Sequence, residues 1–205
     1  DMFEKLALTD KLDLELLAEI KKDARRKKLT LPLMCREADE ADEADIMRIV
    51  ADARRSLKKH RVDQWQGVYP EWVDFAPDLE RGECFVLLHG GEIAGVFTLT
   101  TLPQPCYDAI TDGKWTADMP YCVLHRCAVA AEYRGSGMAE YMMRCVEQRA
   151  REYGVRCIRT DTHRKNKPML NLLRECGYRY RGNVRYDEDP SDPARQAFEK
   201  VLKSK

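Results

Sequence analysis

A chain of 205 residues is long enough to bury one real core and still carry an appendage. Its 35 basic and 35 acidic residues cancel, so no net field draws it to nucleic acid or to an anionic membrane, and a neutral or small partner is expected. No apolar run reaches the length of a membrane span, and no charged-then-apolar leader opens the sequence. The expected compartment is therefore the cytoplasm.

Eight cysteines stand mostly in apolar stretches with no C-x-x-C pair, which reads as small buried hydrophobes rather than a disulfide framework or a metal site. Four widely separated histidines give zinc no support either. No metal is expected.

Over residues 10–28, Leu12, Leu16, Leu17, Ile20 and Ala24 recur at three- and four-residue steps, with lysines and arginines crowding the second half. The spacing predicts an amphipathic helix, either packed on the domain's own surface or serving a dimer or partner. Residues 1–30 are accordingly read as an N-terminal helical extension and 31–205 as the main domain. Residues 31–37 read as a first strand. The acidic repeat 37–45 then leads into Ile46, Ile49, Val50, Ala53 and Leu57 at helical spacing, so its carboxylates read as a solvated helix start that complements the dipole. Residues 61–72 form a loop with Trp65 and Tyr69, and aromatic loops of this kind often line pockets.

A short helix is expected at 71–80, then a hairpin of 84–89 and 92–101 about the Gly90-Gly91 turn. The long connection 102–120 carries Tyr107 and Trp115, and such length without regular structure points to function. Cys122 to Val129 is a short, partly β-branched apolar run and reads as a buried strand. It is followed by a loop with Gly135 and Gly137 and by a helix over 136–153. Glycines there let backbone approach a ligand closely, and the free N–H groups of the helix start favour a phosphate, with Arg134 adding a cation. A lone glycine loop is a weak signal, since there is neither the Lys-Ser/Thr of a nucleotide P-loop nor G-x-G-x-x-G.

The next strand, 155–160, lies parallel to 122–129 because the intervening helix makes a crossover. Asp161 and His163 stand at its C-terminal end, where open sheets place ligands. Pro168 opens a last helix that Gly177 stops, and 178–186 with 195–202 close the sheet as an antiparallel pair around the loop 187–193.

Arg134-Gly135-Ser136-Gly137-Met138-Ala139 matches R-x-x-G-x-A, and it follows the strand end Cys127-Ala128-Val129. On those residues, and on Asn166 with the Gly177-Tyr178 pair, the chain resembles the GNAT superfamily of N-acetyltransferases over about residues 31–202. The resemblance implies an α+β fold: a mixed, mostly antiparallel twisted sheet with helices on both faces, here with an extra N-terminal helix. It implies acetyl-CoA as cosubstrate, with the backbone of Cys127, Ala128 and Val129 pairing with the pantetheine arm. Residues 134–139 would take the pyrophosphate. Asn166, Met169 and Leu173 complete the cofactor set. The acceptor side falls to Trp65, Tyr69, Tyr107 and Trp115.

The chemistry implied is transfer of acetyl to a primary amine of a small molecule or peptide by direct attack in a ternary complex. An alkylamine is protonated at neutral pH, with a pKa of about 10.4, so a base or a water chain must strip it. His125 is a candidate: on a regular strand it shares the face of Cys127, and in the related arylalkylamine acetyltransferases an imidazole occupies this position. The alternative is a histidine packed beneath the pocket. Asp161 and His163 are further candidates. Where the family commonly has a tyrosine to protonate the leaving thiolate, this chain has Leu173, so Tyr178 or water would serve. A CoA-binding sensor without turnover is the competing reading, and a nucleotide-binding protein a weaker third.

Overall fold

The computed structural model describes residues 29–186 and 193–203. Seven strands form one sheet: β1 (Leu33–Glu37), β2 (Cys84–His89), β3 (Glu92–Thr100), β4 (Tyr121–Val129), β5 (Cys157–His163), β6 (Arg179–Arg185) and β7 (Ala194–Val201). Four helices clothe it: α1 (Glu43–Lys59), α2 (Trp72–Glu80), α3 (Met138–Glu152) and α4 (Lys167–Glu175). The strand order is β1-β2-β3-β4-β5-β7-β6, and only the β4–β5 pair is parallel among these neighbours. The mixed, mostly antiparallel sheet expected from the sequence is thus present. The predicted helix over 10–28 and most of the closing loop 187–193 lie outside the described residues.

Local chemistry accounts for the boundaries. The acidic repeat is a capping device: Asp39 accepts from the Ala41 N–H at 2.8 Å, and Asp42 accepts from the Asp39 N–H at 3.0 Å, a reciprocal capping box ahead of α1. Asp42 is buried rather than solvated and pairs with Arg36, whose guanidinium holds its carboxyl below the usual range. Gly90 and Gly91 carry positive φ in the β2–β3 turn, as that hairpin requires. All eight cysteines are free, five of them buried.

The sheet buries both faces. On the lower face, α3 and α4 cover Phe85, Phe97, Leu124 and Ile158 in one continuous core. On the upper face, α1 and α2 cover Val86, Val96 and Ala128, while the connection 101–120 covers Val123, Val184 and Ala197. That connection is lashed down at several points. Thr111 and Asn183 form a β-bridge. A Cβ at Gly113 would fall on the Arg181 carbonyl and one at Gly182 would fall 2.5 Å from the Thr111 carbonyl, so only glycine lets these backbones meet. Farther on, Thr116 donates to the buried Glu199 at 2.7 Å, and Arg159 donates to the Ala117 carbonyl at 2.9 Å while lying under the rings of Tyr121 and Trp115.

Candidate active site

The site is a wedge between two parallel strands. β4 and β5 pair only over Tyr121–Val123 with Cys157–Arg159. At the apex the Thr160 hydroxyl donates to the Leu124 carbonyl at 3.0 Å, and among the described residues no ladder continues beyond it. The edge of β4 from His125 to Val129 is therefore left with backbone groups that an extended ligand can pair with.

β4 also carries a bulge. Val96 pairs with Ala128 and Thr98 with His125, so two steps of β3 oppose three of β4, and Arg126 sits at φ +44°. The bulge corrects the expectation that His125 and Cys127 share a face. Thr98, which donates to Asp78 of α2, is on the upper face, and its partner His125 points the same way. Arg126 follows it there, whereas Cys127 and Val129 pack on the lower core.

Arg126 fixes that geometry. Its guanidinium donates to Tyr69 Oη at 2.9 Å and makes a short contact with Asp78, itself buried and accepting from Arg81 at 2.8 Å and from Thr98 at 3.1 Å. It lies 5.4 Å from the Phe75 ring centre and 5.9 Å from that of Tyr69. The left-handed residue of the bulge is thereby tied to α2 and to the α1–α2 loop. Sequence reading missed Arg126 and Asp78. The available signal was the adjacent polar pair His125-Arg126 in an otherwise apolar strand, since two neighbours on one face are what a bulge produces.

On the next strand β5 runs on to His163, so Asp161 lies near its C-terminal end, and it accepts from Tyr107 Oη at 2.8 Å and Tyr186 Oη at 2.7 Å. Burial lifts its carboxyl above the usual range, against the opposing pull of the two hydroxyls and Arg195. Burial, with the Arg126 charge beside it, pushes His125 down to about 3. His163 is fully buried, with Nδ1 accepting from the Lys165 N–H at 3.1 Å. It shapes the turn that presents Asn166. Asn166 caps α4 by accepting from the Met169 N–H at 3.4 Å, and its amide donates to Thr162 at 3.2 Å. Gln64, another residue the sequence did not single out, reaches over from the α1–α2 loop, and its carbonyl receives the Thr162 hydroxyl and the His163 N–H at 3.4 Å.

The aromatic candidates divide. Tyr69 and Tyr107 meet the wedge through Arg126 and Asp161. Trp65 packs against the upper core, and Trp115 stands behind Tyr107, donating to its carbonyl at 2.8 Å. Past β4, Gly137 adopts φ +99° as the N-cap of α3, Gly135 faces open space, and the N–H groups of Gly135, Gly137 and Ala139 have no backbone acceptor among the described residues. Ser136 is turned inward, donating to the Tyr133 carbonyl at 2.6 Å. Arg134 is exposed, with one amine on the Asp52 carbonyl at 3.0 Å. On the lower face Leu173 is buried where an acid was sought, and Tyr178 is buried with its hydroxyl unpartnered among the described residues.

The depressed His125 pKa sets a stability prediction. The unfolded imidazole binds a proton below about 6.5 and the folded one only near 3, so its contribution is intact above about pH 6.5 and is lost as pH falls, by about 1.4 kcal/mol per unit. Asp161, raised by burial, acts in the opposite sense. Denaturant melts of wild type against His125→Gln isolate the first effect: the difference in stability is expected to shift toward the variant below about pH 6, and parallel pH curves would refute the desolvated imidazole.

The model of the acetyltransferase (GNAT) family matches residues 46–178. A GNAT-family acetyltransferase from Streptococcus agalactiae 2603 is 30% identical, with TM-score 0.77, over 84% of this chain and 97% of its own. One from Listeria monocytogenes 4b F2365 is 22% identical, with TM-score 0.64, over 84% of this chain and 96% of its own. A ribosomal L7/L12 alpha-N-protein acetyltransferase solved with coenzyme A shares the fold at 14% identity and TM-score 0.59, over 83% and 94% of the two chains. No curated protein matches the chain.

Proposed function

We propose, from the premise that the chain belongs to the GNAT acetyltransferase family, that it transfers acetyl from acetyl-CoA to a primary amine of a small molecule or peptide by direct attack in a ternary complex. The observation that carries this reading is the wedge: an unpaired strand edge leads from a loop of free N–H groups to a floor bearing His125 and Asp161.

The residues fit the cosubstrate. The open space at Gly135 and the positive φ of Gly137 admit a pyrophosphate, the β4 edge from Cys127 to Val129 suits an amide-bearing arm, and Met169 borders the lower core. Acetyl-CoA supplies the acetyl group as a thioester. A backbone N–H of the bulge, at Cys127 or Val129, polarises the carbonyl, a contribution of about 3 kcal/mol for a fixed donor. The amine approaches from the upper face, bounded by Tyr69 and Tyr107. Burial holds the Tyr178 hydroxyl well above its ordinary 10, so it stays protonated and hydrogen-bonds to the departing sulfur in place of an acid at Leu173.

A ligand that binds only the native state raises its stability by about 2.7 kcal/mol at one hundred times its Kd. Acetyl-CoA is expected to shift the melting of the wild type to that extent, and Gly137→Val, which places a side chain at a left-handed position facing the ligand, should lose the shift. A wild type whose melting ignores saturating acetyl-CoA removes the reading. Leu173 favours one rival, a module that holds CoA without turnover. Release of free thiol with a panel of amines separates the two.

A further inference from the structure

The loop between α1 and α2 crosses the mouth of the wedge and is fastened on both sides of it. Tyr69 Oη accepts from the Arg126 guanidinium of β4 at 2.9 Å. Earlier in the same loop, Gln64 reaches β5 beyond its last pairing with β4. There a single oxygen, Gln64 Oε1, faces three donors: the Thr162 hydroxyl and the His163 N–H at 3.4 Å and the Asn166 amide at 3.5 Å.

This fastening is loose where the others are tight. A carbonyl oxygen has two lone pairs for those three donors, and each distance exceeds the usual span of about 2.7–3.2 Å. The stem of the loop is held independently: Arg54 donates to the Pro70 carbonyl and to Glu71 at 2.9 Å, and Gln66 donates to the Arg54 and Gln64 carbonyls at 3.2 Å. Trp65, next to Gln64, sits at φ +65°, a left-handed conformation that costs a bulky side chain backbone energy. The loop thus keeps its stem when Gln64 leaves β5, and the backbone beside it relaxes.

The donors themselves indicate what competes for them. Asn166 belongs to the cofactor set, and the pantetheine arm carries amides, the same group as the Gln64 carboxamide. Resting on the acetyltransferase reading, we propose that Gln64 is an internal displacer of the cofactor: its carboxamide holds Thr162, His163 and Asn166 until an amide of the pantetheine arm takes them, and retakes them to expel CoA after transfer. Tethering gives the side chain a high effective concentration at those donors, so even long hydrogen bonds compete with an incoming ligand. Gln64 and Tyr69 share one loop, and Tyr69 bounds the acceptor side. Departure of Gln64 therefore shifts Trp65 and carries the state of the cofactor wedge to the acceptor pocket.

The test measures CoA affinity by calorimetry and CoA release by stopped flow for wild type, Gln64→Ala and Gln64→Glu, with melting curves to check that each is folded. Gln64→Ala removes the competitor and is expected to bind CoA about 3- to 10-fold more tightly, the range of one neutral hydrogen bond, through slower release. Gln64→Glu offers the same donors a charge-assisted partner and should bind CoA about 10-fold more weakly. The same ranking is expected with S-acetylpantetheine, which has no phosphate for the new carboxylate to repel. CoA should also change the part of the fluorescence that is missing from Trp65→Phe, and that change should shrink in Gln64→Ala, which a merely structural glutamine would not cause. A folded Gln64→Ala that binds CoA as wild type does, or more weakly, makes Gln64 a fastening or a clamp and overturns the displacer alone, as does a ranking lost with S-acetylpantetheine. A wild type that binds no CoA overturns the acetyltransferase reading with it.

Discussion

Asp78→Ala is expected to cost about 3–5 kcal/mol, because it strands the largely buried guanidinium of Arg126 without its carboxylate. For a domain of this size that corresponds to a fall in Tm on the order of 10 °C. Asp78 also accepts from Thr98 and Arg81, so the variant leaves the Thr98 hydroxyl of β3 without its acceptor too. The loss should reach the chemistry as well. Arg126 holds the left-handed residue of the β4 bulge, and a loosened bulge misaims the N–H of Cys127 proposed to polarise the carbonyl. A rate loss of about 10²-fold, the range for one oxyanion donor, is expected on top of the lower stability. The double variant Asp78→Leu with Arg126→Met replaces the pair by apolar side chains and should recover much of the stability but not the rate. Denaturant melts and turnover on both proteins make the check. A single variant as stable as wild type would show the pair to be solvent-screened, and a double variant with full activity would detach the bulge from catalysis.

The fold was legible because its elements obey simple periodicities. Ile46, Ile49, Val50 and Ala53 recur at helical spacing and do form the inner face of α1. Gly90-Gly91 does turn β2 into β3. The strand, glycine loop and helix around Gly137 were legible for the same reason, since each follows from neighbours in sequence. The outline of the wedge itself could be anticipated only as a parallel pair; where that pairing stops is set by tertiary packing.

What the sequence could not give is long-range and irregular. The bulge adds one residue to β4 and reverses the face of everything on one side of it, so the inference that His125 accompanies Cys127 failed at Arg126. Asp78 lies 48 residues from Arg126 in the chain, and nothing in WVDFAPDLE marks it apart from its helix neighbours. Of the aromatic residues in the connection 101–120, Trp115 is spent on Arg159 and Tyr107, and Tyr107 alone of the two bonds to Asp161. The acidic repeat departs from its reading at one residue: its other carboxylates are exposed or half-exposed at the helix start, whereas Arg36, brought over from β1, pairs with a buried Asp42.

His125→Ala is expected to lower the acetylation rate by about 10²- to 10⁴-fold, the range for a positioned acid–base group. Burial pushes the imidazole down to about 3, which makes it a weak acceptor for the ammonium's own proton. The amine sheds two protons on its way to an amide, however, and the second leaves a nitrogen already bonded to the carbonyl carbon, where it is far more acidic. A neutral imidazole on the upper face, level with Asp161, suits that second transfer. Three consequences separate this role from packing. CoA affinity should stay within a small factor of wild type, because His125 points away from the lower face on which Cys127 and Val129 pack. The loss should be alike for strongly and weakly basic amines, since the second transfer is needed for both. The wild-type profile should also lack any limb near about pH 6.5 that the variant abolishes, since the folded imidazole is neutral well below that pH. Pre-steady-state acetylation measured from about pH 5 to 9 for both proteins decides the matter: a limb near 6.5 lost with the imidazole would make His125 an ordinary solvated base, and a variant with wild-type rates would reduce it to a floor of the wedge.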